Sequence, residues 1–240
     1  MSPWVGRVVA CAVIAAGGAI AFGDWDPGDP FKMHFPQLPD PNGWDVNMTF
    51  PKVLADDWLC IDSGWVSDIH FWFSYQHDVF VPIEGIHVSI HADDRSGPFS
   101  RPGDLLWQHD FLPSEFTVRE WGTGNQGWYD PNTGEAVPGD HFTTWQANIE
   151  RILDPFWQEQ GTIYWLDLSV FTGPNGRVGW KTSLDHFEDD AVWSDFGTGW
   201  QELFDPFTGV SLDLAFVITP SPGALALLGI AGAVTTRRRR

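Results

Sequence analysis

Histidine, carboxylate and tryptophan side chains supply whatever chemistry this sequence could perform. In Ile86-His87-Val88-Ser89-Ile90-His91 the alternation puts both imidazoles on one face of a strand, about 13 Å apart at roughly 3.3 Å per residue. A single zinc ion cannot reach both unless the strand bends, and no His-x-His or His-Glu-x-x-His pattern occurs. Glu188-Asp189-Asp190 with Asp185 nearby, and Asp93-Asp94, place hard oxygen ligands in loops. Calcium is therefore the one cofactor these loops could take. The alternative is that they are simply solvated, since no EF-hand spacing is present. Trp72 lies between Phe71 and Phe73 and shares a face with Asp68, His70 and Ser74. An outward indole beside His70 is what stacking on a sugar ring requires, and a sheet covered on both faces would give the same pattern. Glycoside hydrolysis needs two facing carboxylates, and among 32 acids the sequence singles out no pair. No nucleophile elbow, catalytic-cysteine signature or phosphate-cradling loop is present, so no catalytic residue is assigned.

The elements that must carry these groups read as strands. Val66–Tyr75, Ile86–Ile90, Leu105–Phe111, Phe116–Trp121, Thr143–Ile149, Thr162–Phe171, Val178–Thr182, Ala191–Trp193 and Ser211–Ile218 alternate or are rich in β-formers. Turn signals separate them at 93–98, Arg101-Pro102-Gly103-Asp104, 130–134, 173–176 and 207–209, and 149–156 could make one helical turn. The expected fold is all-β, an antiparallel β-sandwich or jelly roll. Trp165 and Ile163 share a face and are expected in the core between the sheets. Residues 22–51 are rich in Pro and Asp but carry Trp25, Phe31, Phe35 and Trp44, so they should lie extended and docked on a body formed by 52–219.

The two ends differ from the body. Residues 1–21 have the form of a secretory signal: Arg7, the apolar run Val8–Ile20, and Ala19-Ile20-Ala21 as the cleavage site. Residues 220–240 comprise Pro220-Ser221-Pro222, an apolar run of about 12 residues and Arg237, Arg238, Arg239 and Arg240. That run is short against the roughly 20 residues of a helical membrane span, and the arginines favour the cytoplasmic side. Five of the 13 basic residues lie in these ends, leaving eight against 32 acids in the body. Such a charge excludes nucleic acid as a partner and disfavours anionic lipid. Cys11 falls in the signal, so Cys60 is alone in the mature chain, without an internal disulfide partner, in an apolar run that suits burial.

The tail resembles the PEP-CTERM sorting signal of exported bacterial proteins, with Ser221 where that signal has Glu. The resemblance implies an exosortase-type sorting enzyme as partner and membrane contact only through the terminal segments. A second resemblance is to an uncharacterised Trp-rich domain found on such proteins. Its marks are Leu54-Ala55-Asp56-Asp57-Trp58-Leu59-Cys60, Ser67-Asp68-Ile69-His70-Phe71-Trp72, Trp128-Tyr129-Asp130-Pro131-Asn132-Thr133-Gly134 and Gly179-Trp180-Lys181-Thr182-Ser183-Leu184-Asp185-His186. It implies export and a single domain but no catalytic residue. The resulting expectation is a non-enzymatic protein of the cell surface or extracellular matrix. The alternatives are a glycan-binding module, with or without calcium, and a glycoside hydrolase or lyase on a jelly roll.

Overall fold

The computed structural model describes residues 23–195 and 199–219. The signal segment with Ala19 and Ala21, the sorting segment with Pro220, Ser221, Pro222 and Arg237 to Arg240, and the helix expected at each end lie outside the described residues. In chain order the strands are β1 (Trp44–Asn47), β2 (Lys52–Leu59), β3 (Gly64–Val66), β4 (Asp68–Tyr75), β5 (Ile83–Asp94), β6 (Arg101–Phe111), β7 (Phe116–Asp130) and β8 (Glu135–Ile149). They continue as β9 (Phe156–Gln158), β10 (Ile163–Thr172), β11 (Val178–Ser183), β12 (Val192–Asp195), β13 (Gln201–Glu202), β14 (Asp213–Leu214) and β15 (Phe216–Thr219). Gln76–Asp78 forms a single 3-10 turn, and among the described residues there is no α-helix. The all-β expectation holds, and the helical turn expected at 149–156 is replaced by loop and β9.

Two large sheets make the sandwich. The six-stranded sheet runs β13-β12-β2-β10-β5-β6 and the seven-stranded sheet β14-β11-β1-β7-β8-β4-β15, while β3 and β9 form a separate ribbon. Alternation decides what each face does. Phe71 and Phe73 of β4, Trp180 of β11 and Phe216 of β15 share one core with Trp58 of β2, Val88 and Ile90 of β5, and Leu166 and Leu168 of β10. Trp58 and Phe216 meet edge to face across the layers at 6.4 Å.

The seven-stranded layer also closes on itself. β4 pairs with β8, β8 with β7, β7 with β1, β1 with β11, and β11 returns to β4. The result is a small five-stranded barrel built into the sandwich. Its closing strand is β1, from the segment expected only to dock. Glycine on both flanking strands makes room for it: a Cβ at Gly127 would lie 2.4 Å from the Trp44 ring, and one at Gly179 2.8 Å from the Asp45 carbonyl carbon. Elsewhere in the lead-in Trp25 and Met33 are buried and Phe35 is exposed, and Met33 is bridged to Cys60. Cys60 is buried and unpaired as expected. Arg101-Pro102-Gly103-Asp104, expected as a turn, begins β6 instead, with Asp94 opposite Arg101 and Asp93 opposite Pro102.

Candidate functional site

Trp72 does not face solvent. It is 0% exposed, and its ring meets Trp25 edge-on at 5.8 Å and Trp121 at 5.1 Å. The lead-in is clamped over it: Gln146 Nε2 donates to the Trp25 carbonyl at 2.8 Å, and Arg119 donates to that carbonyl at 2.9 Å and to Asp26 at 2.7 Å. His70 is buried with it, its Nδ1 2.7 Å from Asn148 Oδ1 and its Nε2 3.3 Å from Thr219 Oγ1. Burial lowers its pKa to about 4, so the ring is neutral at pH 7. The sugar platform expected at Trp72 and His70 is therefore corrected to a covered face, because the lead-in carries its own indole to fill it.

The acidic loop is also rearranged. Asp185 Oδ2 accepts the Leu38 N–H at 3.1 Å, back toward the lead-in. Glu188 and Asp189 turn to Arg95, at 2.9 and 3.2 Å, and Arg95 also grips Asp93 at 2.5 Å. Asp190 lines a small cavity of about 100 Å³ with Glu188, Asp189, Phe99, Ser100 and Glu202. Among the described residues no group of three or more His, Cys, Asp and Glu is placed to hold a metal. The calcium site expected at Asp185, Glu188, Asp189 and Asp190 is not assembled, since a guanidinium supplies the compensating charge. Trp165 is buried but not in the inter-sheet core. It packs on the outer face of the six-stranded sheet with Ala55 and Val192, under Phe99 and Trp200.

That outer face is where polar chemistry gathers. Ser169 of β10, His87 of β5 and Asp110 of β6 are direct cross-strand partners and form one row. In the next row Asp167 stands opposite Ser89. His87 Nδ1 lies 2.5 Å from Asp110 Oδ1. His91 Nε2 lies 2.9 Å from Asp167 Oδ2, its Nδ1 lies 3.0 Å from the Gly103 carbonyl, and the Ser89 hydroxyl donates to Asp167 Oδ1. Burial alone would lower the pKa of His91, but the hydrogen bond and charge of Asp167 outweigh it and the net shift is upward. The two histidines expected on one face are indeed there. Each has its own aspartate rather than a common metal.

Beside this row the sheet opens into a cavity of about 200 Å³ lined by Phe50, Val53, His87, Asp110, Asp167, Ser169 and Phe171. Phe50 and Phe171 form its aromatic wall, ring centres 4.8 Å apart and 31° between planes. The Ser169 hydroxyl is buried with no hydrogen-bond partner. The cavity is smaller than the roughly 300–1,000 Å³ of a drug-sized pocket, so it would admit one ring-sized group. The sequence carried a signal for it in the alternation Leu166, Leu168, Val170 against Asp167, Ser169, Phe171. Only the register shows that Ser169, His87 and Asp110 line up.

A family profile described as domain of unknown function DUF7901 matches residues 33–219. The chain belongs to this family. The DUF7901 region takes in β1 and the bridges made by Met33, Gln37 and Pro39, in keeping with a lead-in that is part of the fold from Met33 onward. No curated protein and no solved structure matches the chain.

Proposed function

We propose that this DUF7901 protein is an exported, non-enzymatic domain of the cell surface or extracellular matrix that engages polysaccharide through the outer-face pocket. The carrying observation is that pocket: a Phe50–Phe171 wall beside His87, Asp110, Asp167 and Ser169. Aromatic carbon against a ring face, with a few polar groups to fix hydroxyls, is the arrangement that binds sugars in water. Recognition fits better than hydrolysis. Both carboxylates lining the pocket are already engaged, Asp110 by His87 and Asp167 by Ser89 and His91, and the Ser169 hydroxyl donates no hydrogen bond to His87, the contact an activated serine needs. Delivery rests on the signal-like first 21 residues and the PEP-CTERM-like tail, with an exosortase-type enzyme as transient partner.

The full chain on a glycan array, with and without calcium, tests this. Binding is expected to persist in chelator, to fall about tenfold or more in Phe171→Ala on loss of the stacking ring, and to survive Trp65→Ala. Trp65 pairs edge-on with Trp157 at 5.0 Å on the β3–β9 ribbon and is 53% exposed. Loss in Trp65→Ala alone would move the site to the ribbon, and an array silent for the wild type would remove the glycan reading.

A further inference from the structure

The barrel interior holds a second set of ionisable groups, none of which lines the outer-face pocket. Asp45 of β1 and Lys181 of β11 are direct antiparallel partners, and both side chains are 0% exposed. Lys181 Nζ donates to Asp45 Oδ2 at 3.0 Å and to the Gly43 carbonyl at 2.9 Å. The same Oδ2 lies 2.8 Å from His141 Nε2. His141 Nδ1 lies 2.9 Å from Asp140 Oδ2, and Asp140 Oδ1 lies 2.7 Å from Nδ1 of His77, whose side chain is 64% exposed. Asp45 is thus held through one oxygen from two directions, while its Oδ1 takes no hydrogen bond. Trp128, its register partner on the other side, has a buried indole N–H that is also unpartnered. A surface histidine, two carboxylates and a buried imidazole therefore form a continuous line from solvent to a primary amine in contact with a carboxyl group.

Such a pair is poorly served by remaining ionic, because two charges fully out of water cost about as much as their attraction returns. Burial drives the Lys181 pKa below its ordinary value despite the opposing charge of Asp45. His141 goes the other way: burial and the Lys181 charge would lower it, but Asp45 and Asp140 outweigh them and raise it, and its Nε2, 2.8 Å from Oδ2, is placed to donate a proton there. A nucleophilic amine, a carboxyl carbon and a proton donor to the leaving oxygen are held together with their approach already fixed, which is where intramolecular reactions gain most.

We propose that Lys181 and Asp45 condense into an intramolecular amide, with His141 as the acid–base catalyst. The ammonium proton passes to the carboxylate, and Nζ then attacks Cγ to form the C–N bond. The tetrahedral adduct gives up Oδ2 as water on receiving the His141 Nε2 proton. Nitrogen returns a proton to the imidazole, and Oδ1 remains as the amide carbonyl. One C–N bond forms, one C–O bond breaks and one water leaves. There is no change in net charge or oxidation state, and no co-reactant is needed. The link would fasten β1 to β11 across 136 positions of sequence, in a chain whose body has one cysteine and so no internal disulfide.

Mass spectrometry of the denatured full chain decides the matter. The wild type is expected to be lighter than its sequence by one water, whatever trimming its ends have undergone. Fragmentation should place the loss in a branched species joining the segment containing Asp45 to that containing Lys181. Lys181→Arg should show no loss. His141→Gln should close roughly 10²-fold more slowly, the usual contribution of a positioned acid–base group, and so be isolated mostly open. A wild-type chain of full mass, or a water loss mapped elsewhere, overturns the proposal even if the variants fold poorly. Closure of His141→Gln at the wild-type rate would strike His141 from the scheme.

Discussion

Asp57 on β2 is fully buried with neither carboxylate oxygen hydrogen-bonded. Burial, followed by the charges of Asp189, Asp213, Asp93 and Glu188, raises its pKa to about 9, so it is a neutral acid at physiological pH. The linkage has a definite sign. A folded-state pKa above the unfolded value contributes stability that is complete below about pH 4 and is lost as pH rises toward 9. Asp57→Asn keeps the shape and removes the proton dependence. It is expected to be the more stable protein at pH 8 by a few kcal/mol, since holding the Asp57 proton costs about 1.4 kcal/mol for each pH unit above the ordinary carboxyl value, and to gain nothing at pH 4. Thermal melts of both proteins at the two pH values check this, and an equal gain at both would mean that packing, not ionisation, was responsible. Arg95 illustrates the other way of managing acid: its guanidinium ties Asp93, Glu188 and Asp189 together at the rim, with about half of its side chain in solvent, where each pair adds little by itself.

At the scale of elements, β1 is the piece on which closure depends. It has four residues, all buried, and it is flanked on one side by the parallel β7 and on the other by the antiparallel β11. Trp44 at its start is fixed by a 2.7 Å hydrogen bond from its indole N–H to Asp205 Oδ2, so it cannot easily move aside. The Gly127→Ala methyl would sit 2.4 Å from that ring. Overpacking of this kind costs roughly 1–3 kcal/mol, and urea denaturation should show a loss of that size. Gly134→Ala, in the turn between β7 and β8 with no atom within 4 Å but a positive φ, should cost about 1 kcal/mol through backbone conformation alone. An unchanged midpoint for Gly127→Ala would mean that β1 is less tightly wedged than its contacts imply. Lead-in and barrel are one unit in this respect, since Trp25 covers Trp72 while Trp44 and Asp45 complete the ring.

For the whole molecule, eight basic residues face 32 acids in the body, and several of the eight are committed inside the fold. Lys181 is in the barrel, Arg119 clamps the lead-in, and Arg177 pairs with Glu135 at 2.6 Å. What is left outside is a strongly acidic surface, of the sign that repels nucleic acid and anionic lipid. Among the described residues no helix is long and apolar enough to cross a membrane. In the proposed function, membrane contact is assigned to the terminal segments. If the tail is a sorting signal, deletion of Arg237 to Arg240 should leave an uncut precursor in the cell fraction while the body folds unchanged. Cell fractionation with intact mass determination reads this directly, and a mature mass and location the same as wild type would remove the tail from the delivery scheme.

Alternation by itself determined that this chain is a sheet protein, because a period of two is a property of neighbouring residues and needs no partner to be read. It also gave the faces of β4 and β5 correctly, with His87 and His91 on one side and Ile86, Val88 and Ile90 on the other. Cys60 was legible as a small buried hydrophobe from the residues beside it. What covers a face is a different kind of fact. Trp72 lost its solvent only because Trp25, far away in sequence, is held over it by Arg119 and Gln146. The acidic loop lost its metal reading because Arg95 reaches it from another connection. Ser169, His87 and Asp110 become a row, and Asp45, Lys181 and His141 a cluster, only once cross-strand register is set. Register follows from the packing of whole faces against each other, and no local stretch of sequence contains that information.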